Sequence, residues 1–196
     1  MHPEIRQDGK GRCPLCGMAL VDDAVPPVAH AEEAASYRPL IVVFLMLLAA
    51  TAVRAWADWR SGSLSGTGVV STFMAGFFLV FAGFKLMDLR GFADGYSTYD
   101  LLARRVPAYG FVYPFIELGF GLAMLAGLDA PALLWAELGV MLFSGLGVAL
   151  KLVKGEKFQC ACLGTFLKVP LTKVTLVEDF GMAALAGVLL FLRGTT

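Results

Sequence analysis

The chain has 196 residues, of which 58% are hydrophobic and 16% charged, with sixteen Lys and Arg against sixteen Asp and Glu. A chain this apolar and of this size cannot hide its surface in a soluble core, so the excess must face lipid. Zero formal charge excludes the global basic field that nucleic acid requires.

Residues 1–20 hold two Gly/Pro turns and too few large apolar side chains for a core. A segment this short folds around a metal or a disulfide. Cys13-Pro-Leu-Cys16-Gly17 is a knuckle in which two thiolates on a tight turn can meet one ion at about 2.3 Å. His2 precedes it by a short loop through Gly9 and Gly11 and supplies a third ligand. Soft donors favour copper(I) or zinc over magnesium or calcium. A zinc-stapled knuckle with no transport duty is the alternative, and a redox use is weaker because no βαβ pattern surrounds the pair. His2-Pro3-Glu4-Ile5 followed by Cys13-Pro14-Leu15-Cys16-Gly17-Met18 resembles the heavy-metal-binding domain of copper-exporting ATPases and periplasmic efflux adaptors. That family carries a further Cys-Pro ahead of its Met-His-Pro. Without it, the resemblance implies His2, Cys13 and Cys16 as ligands, with Met18 or the terminal amine completing the set.

Residues 21–38 mix acids, alanine and a Pro-Pro pair without apolar periodicity, the composition of a tether. No basic region and apolar core open the chain, so no cleavable signal peptide is expected, and insertion through the first long helix is. Apolar runs follow at about Pro39–Ala57, Gly68–Met87, Tyr109–Leu128, Ala132–Val153 and Val174–Leu192. Each approaches the roughly 20 residues a helix needs to cross the hydrocarbon, where bare backbone donors are not tolerated. The expectation is an all-α integral membrane protein of about five transmembrane helices: one N-terminal helix over 39–57 and a four-helix bundle over 68–192. Pro131 leaves only a tight turn between the third and fourth runs, which predicts a hairpin. Gly119, Ala123, Gly127, Gly145 and Ala149 are candidates for close helix contact. Tyr37, Trp56 and Trp59 read as interfacial anchors of the first helix.

Cys160-Ala161-Cys162 follows the fourth run behind Lys151, Lys154 and Lys157, whose charge favours thiolate. Cysteines two apart close a disulfide only in a tight, strained turn, which makes it easily reduced. Left reduced, the pair is a two-thiolate ligand for a soft ion, and two inert buried thiols are the third reading. FQCACLGTF, the helix beginning VTLVEDFGMAALA, and GFFLVFAGFKL in the second run resemble the MauE/DoxX group of small redox-associated membrane proteins. The resemblance covers roughly residues 68–192. It implies a four-helix bundle with a CxC before its last helix, and thiol chemistry, since MauE-type proteins are implicated in maturing a disulfide-rich periplasmic dehydrogenase.

Glu117 lies near the middle of the third run and is the most expensive residue to bury charged. Glu137, Glu178 and Asp179 lie nearer helix ends, and Lys85 is expected to pair with one of these carboxylates. Glu137 with Met141, and Glu178 with Met182, share helix faces at four-residue spacing. These could offer oxygen and thioether ligands, or simply pack. Eleven basic residues fall on the N-terminal side of the runs and three, Arg54, Arg60 and Arg193, on the other. By the positive-inside rule the N-terminus and the Cys160 loop are cytoplasmic and the C-terminus outside, in a bacterial-type inner membrane.

The leading functional expectation is metal handling: the knuckle captures copper(I) or zinc and the tether carries it to Cys160 and Cys162. The second is a thiol-disulfide oxidoreductase or maturation factor using that pair as its catalytic couple, with a protein redox partner. The third is a non-catalytic membrane anchor subunit. Partners are a metal ion, the lipid bilayer and a metal-transfer or redox protein; an oligomer is left open, and nucleic acid is excluded.

Overall fold

The computed structural model describes residues 37–128, 130–153 and 172–194, the last without the side chains of 172–174. The knuckle with His2, Cys13, Cys16 and Met18, nearly all of the tether, and the loop with Cys160 and Cys162 lie outside the described residues. The described residues form six helices: α1 (Arg38–Arg60), α2 (Gly66–Met87), α3 (Leu89–Tyr96), α4 (Ala108–Leu125), α5 (Pro131–Val153) and α6 (Thr172–Gly194). All but α3 are long and apolar enough to cross a membrane. The protein is therefore an all-α integral membrane protein with five spans, one for each apolar run of the sequence.

α1 overshoots its apolar run at both ends. Its last turns are polar, and there Arg54 Nε donates to Asp58 Oδ2 at 3.0 Å. It rests on α2 along a narrow seam: only Leu47 and Thr51 are buried, and Phe44 meets Phe73 edge to face with ring centroids 5.8 Å apart. Ile41, Leu45, Met46 and Val53 stay exposed, which in a bilayer means facing lipid. Trp56 and Trp59 are exposed near the end of the helix, and the Arg60 guanidinium lies 5.2 Å from the Trp56 ring centre. This is the arrangement of an interfacial anchor.

α2 and α4 approach closely because Gly121 has no side chain: a Cβ there would lie 2.9 Å from Leu79 Cγ and 3.1 Å from Leu79 N. The pair runs antiparallel, since Phe78 meets Phe120 and Lys85 meets Glu117. At Gly145 the same device seats α5 on α6, where a Cβ would fall 3.1 Å from the Phe180 ring and 3.2 Å from Asp179 Cβ. α2 also packs on α6. The expected hairpin of the third and fourth runs is not a packed pair: α4 lies on α2, and α5 on α6. Gly121 turns the close face of α4 to α2 and Gly145 turns that of α5 to α6, so the small-residue faces of both helices are taken by other partners. Of the expected contact glycines, Gly145 serves that role. Gly119 has nothing within 4 Å, and Gly127, at φ 73°, turns the chain after α4.

The short helix α3 was not anticipated. Asp88 ends α2 and caps α3, its Oδ1 accepting from Gly91 N at 2.9 Å. α3 buries Phe92, Ala93 and Tyr96 against α4, where Gly110 leaves room for Ala93. The turn after it is held by Asp100, fully buried, whose Oδ1 accepts from Leu102 N at 2.9 Å and Ala103 N at 2.7 Å. This turn presses against α5 at Gly147, where a Cβ would lie 2.9 Å from Tyr99 O.

Candidate functional site

The interior faces of the bundle follow the three-and-four spacing of packed helices, and most of their polar positions gather at one end. α2 contributes Lys85, α4 Tyr113 and Glu117, α5 Ser144, and α6 Thr175 and Asp179. These positions fall in the last turn of α2, between the second turn and the middle of α4, in the second half of α5 and in the first turns of α6. That is the end at which α5 finishes at Val153 and α6 begins at Thr172.

At its centre Lys85 Nζ donates to both carboxylate oxygens of Glu117, with each residue only 3% exposed. The ammonium is flanked by the rings of Phe92 and Tyr113, with centroids 5.6 and 5.2 Å away. The negative faces of such rings favour a desolvated cation. Tyr96 Oη donates to Ser144 Oγ at 3.4 Å. Burial, with Asp100 adding to it, pushes the Tyr96 hydroxyl well above its ordinary range, so it stays a neutral donor.

Glu178 and Asp179 lie close enough to act electrostatically on Lys85, whose direct partner is Glu117. Asp179 Oδ2 and Glu178 Oε2 have no hydrogen-bond partner among the described residues. Four of the five polar membrane residues singled out in the sequence, Lys85, Glu117, Glu178 and Asp179, are thus brought together. The fifth, Glu137, is apart: it lies eight residues before Gly145 on α5, about 12 Å toward the other end of the bundle. It lies in the second turn of α5, near a helix end as its place in the sequence implied, and is fully buried. Sequence reasoning missed Tyr96, Asp100, Tyr113 and Ser144. Tyr113 could have been found, because it lies one helical turn before Glu117 on the same face. Among the described residues no three His, Cys, Asp or Glu side chains converge as a metal site. The cluster's cation is Lys85.

The family model described as methylamine utilisation protein MauE matches residues 63–192, two thirds of the chain, from the loop before α2 to the last turns of α6. The chain belongs to the MauE family. Its MauE region takes in the whole polar cluster and the segment with Cys160 and Cys162, and leaves out α1. A second model, described as heavy metal binding domain, matches residues 1–22, which include His2, Cys13, Cys16 and Met18. No curated protein and no solved structure matches the chain. This MauE-family protein therefore joins a heavy-metal-binding segment to a five-span membrane body.

Proposed function

We propose that the protein captures a thiophilic ion, copper(I) or zinc, at His2, Cys13 and Cys16, with Met18 able to complete the set, and passes it by ligand exchange to Cys160 and Cys162. The observation that carries this reading is the heavy metal binding domain match over residues 1–22 on the same chain as the MauE match over 63–192. Soft donors on both segments suit one soft ion. Four crossings separate Arg38 from Val153, an even number, which supports reading both cysteine pairs on one face; the excess of basic residues there supports the cytoplasmic one. A tether of about seventeen residues spans on average some 20 to 25 Å, enough for exchange. Metal analysis of purified protein tests the relay, with wild type beside Cys13→Ala/Cys16→Ala and Cys160→Ala/Cys162→Ala. Each double variant should lose bound ion and lower metal tolerance in cells. Unchanged stoichiometry and tolerance on removing Cys160 and Cys162 would refute it.

A second reading has its own support, because the MauE match includes Cys160 and Cys162. In it the two thiols deliver two electrons and two protons to a partner protein's disulfide and close one of their own. Alkylation trapping in cells separates the two: a pair found always reduced excludes cycling.

A further inference from the structure

Within the polar cluster the cation, Lys85, is already matched: its Nζ donates to both oxygens of Glu117, and the pair is neutral as a unit. Asp179 is left over. It is 5% exposed, its Oδ2 has no hydrogen-bond partner, and among the described residues no ion pair reaches it. A carboxyl held in a membrane interior without a counter-ion is costly and marks function more often than packing.

Asp179 stands against α5, where a Cβ on Gly145 would lie 3.2 Å from its own Cβ. Ser144, the residue before Gly145, accepts from Tyr96. The Tyr96 ring lies 4.7 Å from that of Tyr113, and Tyr113 borders the Lys85 ammonium. These contacts put Asp179 in the layer of the ion pair. Lys85 of α2, Glu117 of α4 and Asp100 of the turn after α3 act on it electrostatically, as does Glu178 beside it on α6. α5 faces it with Ser144, which carries no charge. Lys85 is the one cation in this group, and Glu117 holds it.

We propose that Asp179 is an intramembrane proton-binding site, which takes up and releases one proton while Lys85 and Glu117 remain the fixed pair beside it. With the proton on, the carboxyl is neutral, the form a low-dielectric interior tolerates. With the proton off, its charge has Lys85 within electrostatic reach, so the ionised form is accessible. Asp179 lies seven residues into α6, about 10 Å from the start of that helix, and Glu178, half-buried, offers the proton a second carboxyl on the way out. Exchange is therefore with the face at which α5 ends and α6 begins. Thiols give up protons both when they bind a soft ion and when they close a disulfide. The site serves either reading of Cys160 and Cys162 and depends on neither.

The test is infrared difference spectroscopy of the full chain in lipid vesicles, cycled between acid and alkaline buffer in water and in deuterium oxide. The carbonyl band of a protonated carboxylic acid should come and go with pH and shift on deuteration. Asp179→Asn should lose it, and Glu137→Gln should keep it. A second measurement needs no variant: a hydrophobic carbodiimide, which adds to protonated carboxyls, should label Asp179 in mass spectra of the wild type, and less so in alkaline buffer. The proposal is overturned by a titrating band that survives in folded Asp179→Asn, or by an Asp179 band that neither pH nor deuterium reaches. Absence of the carbodiimide adduct at Asp179 overturns it too, and decides the matter should the asparagine variant fail to fold. Cys160→Ala/Cys162→Ala should leave all these results unchanged, so failure of the relay and failure of this site are read separately.

Discussion

Lys85 and Glu117 stand thirty-two residues apart and meet as a two-oxygen ion pair inside the bundle. Breaking it leaves a charge without its counter-ion among apolar neighbours, a loss of about 3–5 kcal/mol. Lys85→Met and Glu117→Leu should each lower the detergent melting temperature sharply. The double replacement should recover much of the loss, because removing both charges removes the desolvation cost with the attraction. Thermal melts of the four proteins in a double-mutant cycle check this; additive losses would mean that the pair is not coupled.

Close approach at Gly121 makes a second prediction. Gly121→Val places atoms against the backbone of Leu79 as well as its side chain, and overpacking of this kind costs about 1–3 kcal/mol. Gly119→Ala, two residues away and with nothing within 4 Å, should be neutral or stabilise by up to about 1 kcal/mol through helix propensity. The melting temperature should therefore fall for Gly121→Val and hold or rise for Gly119→Ala.

The spans could be read from the sequence because hydrocarbon thickness sets one length for every helix that crosses it. Pairing could not be read so easily. It was clear that Lys85 would need a carboxylate, and a carboxylate is what it has. That the partner is Glu117 depends on α4 lying against α2, and that follows from Gly121 rather than from loop length. The expected hairpin of α4 and α5 failed for the same reason. α3 escaped notice because eight residues, split from α2 by Asp88 alone, give no apolar run of spanning length. Gly119 and Gly127 looked like contact residues by spacing, but spacing does not say which face of a helix meets a neighbour. In the site, Ser144 and Tyr96 sit on different helices and meet only through the packing of the turn at Asp100 on α5.

That turn is itself testable. Asp100 holds two backbone donors, Leu102 N and Ala103 N, with a single oxygen, and their loss in Asp100→Ala should cost about 1–3 kcal/mol. Because the same turn seats Tyr99 on α5, the aromatic near-ultraviolet circular dichroism should change along with stability. Asp100→Asn keeps an oxygen acceptor and should retain most of both. If the alanine variant leaves the spectrum unchanged, the turn does not depend on this residue.

Sidedness decides whether the relay can operate at all. Of the spans, α1, α2, α4 and α5 lie between the N-terminal segment and the Cys160 loop, and each crossing changes the face. Single-cysteine proteins, one keeping Cys16 and one keeping Cys160, should therefore react with a membrane-impermeant maleimide from the same side of sealed vesicles. Inside-out vesicles should label both and right-side-out vesicles neither, since the basic residues gather on that face. An added cysteine in place of Thr196 should show the opposite pattern after the fifth crossing. Labelling of Cys16 and Cys160 from opposite faces would rule out direct exchange between them, whatever ion each binds. Labelling of both from the outer face would keep the exchange and reverse its direction relative to the cytoplasm.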